Sequence, residues 1–231
     1  MLRIKETMLG ICLLALTLLA QPTLASSIAR LGSSDLVEQA ELIFQGEVVH
    51  RESWQAPNGL IYTAVEFHVQ DVIKGDDPGP GLRLRFSGGR VAGTRLSVGV
   101  EIPAAGEQGI YFVDSVNRPS PNPLVGWTQG HFVIHSDNSV RSANGALVTD
   151  IQAAARSEGI EISDGIPRGF SVINSASSGI SPIRGLTPEE FRHKIRELWE
   201  GGPVIYREAK PATRAAPPSR KDPALWAREI P

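Results

Sequence analysis

Five histidines, His50, His68, His131, His135 and His193, are the first place to look for metal or proton chemistry, because imidazole ligates metals and titrates near neutrality. His131 and His135 are four apart, which on a helix would make a metal-ligand pair. Phe132-Val133-Ile134 between them reads as strand, where positions four apart lie about 13 Å from each other by rise alone. They cannot share an ion in that way. His50 and His68 fall on two strands of one hairpin, and a turn centred near Asn58 does not set them opposite each other. The histidines read as surface imidazoles on strands, with a cross-strand cluster as the alternative.

Other catalytic signatures are missing. Asp76-Asp77-Pro78-Gly79 lacks the alternating oxygen ligands and terminal bidentate acid of a calcium loop and reads as a turn. The chain has no GxSxG elbow, no HExxH pair and no phosphate-cradling loop. Ser87, before Gly88-Gly89, has no base partner to name. The expectation is a protein that is not an enzyme, with no catalytic residue, no metal site and no cofactor.

One group of side chains does suggest binding. No acid lies between Asp77 and Glu101, yet Arg83, Arg85, Arg90 and Arg95 all fall there. Arg83 and Arg85 share one face of a strand. Guanidinium forks suit carboxylates and phosphates, so this strip is the candidate site for an anionic ligand. The plainer alternative is a solvated strand face whose charges guard against edge pairing.

The elements that must position these residues follow from composition and pattern. The chain has 231 residues, 23 Lys+Arg against 25 Asp+Glu, one Cys, 23 Gly and 17 Pro. This length suffices for a hydrophobic core without staples. The near-zero net charge argues against a nucleic-acid partner, which needs surplus positive charge. Met1–Met8 carries Arg3 and Lys5, Leu9–Ala20 is a 12-residue apolar run, and small Thr23 and Ala25 follow. That run is too short to span a bilayer, and residues 1–25 read as a cleavable export signal cut after Ala25. Cleavage would remove Cys12, the sole cysteine, and with it any disulfide or thiolate chemistry. The expected location is periplasmic or secreted, with no integral membrane segment after cleavage.

Residues 34–149 read as one β-domain. Ser34 and Asp35 open a short helix. Leu42–His50 is strand-like, with Gly46 marking a bulge or a close approach. After the Pro57-Asn58-Gly59 turn comes the clearest pattern, in which Ile61, Thr63, Val65, Phe67 and Val69 alternate with mixed residues. Leu82, Leu84 and Phe86 form a third strand, and Gly109–Val113 is of the type buried on both faces. Gln129–His135 and Val140, around Asp137-Asn138, form a closing hairpin. Five or six strands suit a small closed barrel.

Residues 150–184 read as an irregular Gly/Ser-rich connection with a short helix near Ile151–Arg156 and one or two brief strands. An amphipathic helix follows over 185–200. Thr187 is its cap, Pro188 its first position and Glu190 the reciprocal acid. Phe191, Ile195, Leu198 and Trp199 make its apolar stripe, which should pack on the barrel. Residues 26–206 carry net charge −6, whereas 207–231 carry +3 with five prolines. That composition reads as a basic, Pro-rich disordered tail, solvated or anchored to a partner through Trp226.

The order Ala40-Glu41-Leu42-Ile43-Phe44-Gln45-Gly46-Glu47-Val48, Tyr62-Thr63, Val72-Ile73-Lys74-Gly75, Gly88-Gly89 and Pro103 with Gly106-Glu107 carries a resemblance over residues 34–148. It resembles a group of exported bacterial proteins of unassigned activity that look like the OB-fold barrels of tissue inhibitors of metalloproteinases and netrin-like domains. The resemblance implies a mainly β, OB-like barrel of five to six strands with a short N-terminal helix and a C-terminal amphipathic helix. Those inhibitors seat an N-terminal Cys on the protease zinc. A mature chain without Cys cannot do so, and a protein-binding role is what the resemblance still implies. The expected function is a non-catalytic exported binding module that recognises an exported protein, a protease among the candidates, or an anionic envelope polymer. A structural accessory of the envelope is the alternative, and a hydrolase with an unrecognised site the third reading.

Overall fold

Alternating apolar residues draw the central strands into a sheet that buries both faces. The computed structural model describes residues 28–97, 101–118, 120–155, 161–173 and 184–201. Residues 1–25, read above as an export signal, and the segment 207–231 lie outside the described residues. The chain runs through helix α1 (Ser33–Gln39), then β1 (Leu42–Gln55), β2 (Ile61–Lys74), β3 (Gly81–Ser87), β4 (Gly89–Val91), β5 (Thr94–Leu96) and β6 (Gln108–Val113). A 3-10 turn (Trp127–Gly130) precedes β7 (His131–Ile134), β8 (Val140–Ser142), β9 (Leu147–Ile151) and β10 (Phe170–Ile173). Helix α2 (Pro188–Glu200) ends the described chain.

Eight strands form one antiparallel sheet in the order β10-β9-β8-β7-β6-β1-β2-β3, and β4-β5 is a separate hairpin. The fold is mainly β, as the sequence implies, but the sheet does not close into a barrel. Closure needs the terminal strands to bond each other. Here β3 pairs with β2 and β10 with β9, so both are edges. The strand count also exceeds five or six, because the chain past Val140 keeps adding strands at one side of the sheet. The two helices then cover apolar surface that a barrel would turn inward.

Each face has its own core. On the helix-covered face, Ile43, Ile110, Phe112 and Phe132 pack with Leu36 and Val37 of α1 and with Phe191 and Ile195 of α2. The Phe132 and Phe191 ring centroids are 4.9 Å apart. On the other face, Phe44, Phe67, Phe86 and Tyr111 form the second core with Leu42, Val48, Val65 and Val113. The buried Gly109–Val113 run serves both cores in turn, as strand alternation requires.

Helix α2 has the expected cap. The Glu190 backbone N–H donates to Thr187 Oγ1 (3.3 Å), and the Thr187 N–H donates to Glu190 Oε2 (2.9 Å). Its outer side ties to the sheet through Arg192 and Arg196, both on Asp71 Oδ2 at 3.0 and 2.9 Å, and through Lys194 on Asp150. At α1 the cap is Gly32 rather than Ser34 or Asp35. Its N–H donates to the Asp35 carboxylate at 3.2 Å.

The helix expected near Ile151–Arg156 does not form over Ile151–Ala155. Ile151 ends β9, the Gln152 N–H bonds to Gly169 O and the Ala154 N–H to Ser33 Oγ. Backbone donors taken by neighbouring elements are not free for a helical turn. No helix among the described residues is long and apolar enough to cross a membrane.

Candidate functional site

Gly46 and Gly109 sit directly opposite each other across β1 and β6, and so do Phe44 and Tyr111. A Cβ on Gly109 would lie 2.7 Å from the Tyr111 ring and hydroxyl, and one on Gly46 would lie 3.0 Å from the Phe44 ring. The two glycines therefore let both rings lie back along their own strands. Tyr111 then stacks on His131, its cross-strand neighbour on β7, with centroids 5.4 Å apart.

Glu107, just ahead of β6, lies on the same side of the chain as Gly109 and Tyr111. Its Oε1 is 2.6 Å from His131 Nε2 and accepts the Tyr111 hydroxyl at 3.0 Å. Its Oε2 accepts the Ala104 backbone N–H at 3.1 Å. Burial pulls this carboxyl upward, but the hydrogen bond and charge of His131, with the Ala104 and Tyr111 bonds, outweigh it and leave the pKa below the usual range. Burial and the adjacent carboxylate push the Tyr111 phenol well above its ordinary value. The carboxylate therefore stays ionised and the phenol stays protonated at neutral pH.

Glu107 and His131 of this trio floor a cleft of about 460 Å³ on the face away from the helices. The β4–β5 hairpin forms one wall. Ala92 (φ 47°) and Gly93 (φ 85°) make its two-residue turn, both in the left-handed region, as a type I′ turn demands. The turn sets Arg90 directly opposite Arg95, and both line the cleft with Arg51 of β1. No acid among the described residues pairs with Arg90, Arg95 or Arg51, and Arg51 Nε is buried without a hydrogen-bond partner. Glu101 stands exposed at the rim.

The four arginines singled out in the sequence do not form one strip. Arg90 and Arg95 meet in the cleft. Arg83 is held by Glu52 and Glu66 at 3.4 and 3.7 Å, and Arg85 lies over the Tyr62 ring at 5.1 Å. The reading of the histidines as surface groups needs one correction. His131 is buried, its side chain 3% exposed, because its strand position faces the Tyr111 core and Glu107 supplies the polar partner that burial requires. His50, His68, His135 and His193 are exposed, and His50 and His68 are not opposite each other, since they face Glu66 and Glu47.

Sequence reasoning missed Arg51, Glu107 and His131 as members of one site. The alternation Glu107-x-Gly109-x-Tyr111 was the available signal, because it puts an acid, a gap and a ring on one strand face. Nothing local joins it to His131, 24 residues on. Ser87 lines the cleft as well. The Asp76–Gly79 stretch lies in the connection between β2 and β3, where Asp77 Oδ1 accepts the Gly79 N–H at 2.8 Å. Among the described residues no three His, Cys, Asp or Glu side chains gather where they could hold a metal ion.

The arrangement offers two arginines facing each other across a hairpin, beside a hydrogen-bonded Glu107–His131 pair. No protein-family model, no curated protein and no solved structure matches this chain.

Proposed function

We propose that this chain is a non-catalytic, exported binding module whose recognition surface is the cleft between the β4–β5 hairpin and the Glu107–His131 floor. The observation that carries the reading is the pair Arg90 and Arg95, directly opposite in a hairpin with a two-residue turn, neither of them ion-paired to an acid among the described residues. Like charges facing each other across strands disfavour the hairpin. An anionic partner would remove that cost and gain two forked donors. The resemblance to netrin-like domains and the export signal in residues 1–25 support a partner among exported proteins. The buried Glu107–His131 pair supports a structural floor: its carboxylate is already shared with Tyr111 and Ala104, which leaves it poorly placed to abstract a proton from a substrate.

The test is a crosslinking pull-down from the host's exported fraction with the wild-type chain and with Arg90→Glu/Arg95→Glu. A stoichiometric partner captured by the first and lost by the second is the expected result. Turnover of a protease, esterase or glycosidase substrate by the purified chain would overturn the reading.

A further inference from the structure

Positive charge at the cleft exceeds what its acids answer, and the excess sets a ligand chemistry that rests on the binding-module reading. Arg51, Arg90 and Arg95 all line the space. Of its two acids, Glu107 is already engaged by His131, Tyr111 and the Ala104 N–H. That leaves Glu101, exposed at the rim, against three guanidinium groups. The excess is two positive charges. Ser87 and Ser97 add hydroxyl donors to a lining that is mainly polar.

We infer that the cleft binds a phosphate dianion, as the free ion or as the terminal group of a small phosphomonoester. A carboxylate, a sulfate ester or a phosphodiester brings one negative charge, half of the excess. A carboxylate also has only two oxygens, which two guanidinium forks fill. A phosphoryl group presents three acceptor oxygens and up to two charges, so it can engage arginines from β1, β4 and β5 together. Arg90 and Arg95 face each other across the hairpin, and Arg51 Nε has no protein partner. The volume of about 460 Å³ is larger than a bare phosphate needs and leaves room for a group of sugar size.

The experiment is calorimetric titration of the purified full chain. The probes are inorganic phosphate, a hexose phosphate, a blocked phosphoserine tripeptide, the matching hexose sulfate, and glucuronate. At about pH 7 the tightest phosphate probe should bind saturably, at least about tenfold more tightly than the sulfate or glucuronate. Lowering to about pH 5 protonates the phosphoryl group but not the sulfate, so the phosphate-to-sulfate ratio should fall. Glu101, Glu107 and His131 act on both probes, and the ratio isolates the ligand's own proton. Arg95→Gln should weaken phosphate by about tenfold. Glu101→Gln, at the exposed rim, should tighten it about two- to fivefold, a gain that misfolding cannot produce. A preference for the hexose phosphate, for the free ion or for the phosphoserine tripeptide identifies the source, and each keeps the dianion. Sulfate or glucuronate binding as tightly as phosphate, a ratio unmoved by pH, or no saturable binding by any probe would overturn the inference. If one of these results stands while the captured partner is still lost by Arg90→Glu/Arg95→Glu, the binding-module reading survives and the dianion site does not.

Discussion

Glu107 Oε1 lies 2.6 Å from His131 Nε2 beneath the cleft, although 24 residues separate the two in the chain. The contact exists because β6 and β7 pair with Tyr111 opposite His131, which carries the histidine to the acid that ends the same strand face. It locks the cleft floor, and its loss should be measurable.

Glu107→Gln keeps the shape and removes the charge. It should cost about 2 kcal/mol, the scale of a hydrogen bond to a charged group. Urea denaturation at neutral pH measures it, and an unchanged midpoint would mean that the pair contributes nothing to stability.

Acid should erase that difference. The Glu107 carboxyl titrates below its ordinary 4.5 in the folded chain, so the unfolded chain takes up the proton first as pH falls. The stabilisation is therefore complete above about pH 5 and is lost as pH drops through the lowered folded value. Asp137, Asp150 and Glu190, also held low, titrate alike in both proteins and cancel. Urea midpoints of wild type and Glu107→Gln should converge below pH 4.5. A gap that widens in acid would contradict the assignment.

Gly109→Ala should destabilise by about 1–3 kcal/mol. Its Cβ would meet Phe132 O at 2.6 Å and the Tyr111 hydroxyl at 2.7 Å, and the backbone atom cannot yield. Near-ultraviolet circular dichroism should report the displaced tyrosine together with the lower midpoint.

The hairpin that carries Arg90 and Arg95 has a stability reserve. Ala92 sits at φ 47°, a region that costs an alanine about 1–2 kcal/mol. Ala92→Asn, which tolerates that conformation, should raise the thermal midpoint and leave ligand contacts intact. A lower midpoint would mean that the alanine methyl packs on something the turn needs.

Lys74 closes the end of α1. Its Nζ donates to the carbonyls of Val37, Glu38 and Ala40 at 2.6, 3.0 and 2.6 Å and stands 4.1 Å from the Trp199 ring centre of α2. Lys74→Met keeps the stem but strands those carbonyls, and should cost about 1–3 kcal/mol. Hydrogen exchange should quicken at the junction of α1 and α2 while the β6–β7 ladder stays protected. Equal loosening everywhere would deny the lysine its local role.

Much of the fold is readable in the residues themselves. The period-two run from Ile61 predicts β2, and the face carrying Ile61, Thr63, Val65 and Phe67 is the buried one. Gly46 marks both an irregularity in the β1–β2 register and a close approach, since a Cβ there would meet His68 O at 2.7 Å. Thr187, Pro188 and Glu190 specify the start of α2 because capping is settled within four residues. The Gly88-Gly89 pair ends β3, and both glycines take positive φ.

What was not readable depends on partners distant in the chain. Arg83 looks as free as Arg90 in the sequence, and only strand pairing brings Glu66 opposite it while sparing the hairpin arginines. His131 resembles any strand imidazole until β6 places Tyr111 and Glu107 beside it.

The sequence by itself thus determined the strands, their buried faces, the capped helix and the supply of arginines, all set by interactions a few residues long. Only the tertiary structure decided that the sheet stays open, which arginines keep their charge unpaired, and that a buried Glu–His pair floors the cleft. Strand order and register bring together residues from 24 to more than 40 positions apart, and no local periodicity encodes those separations.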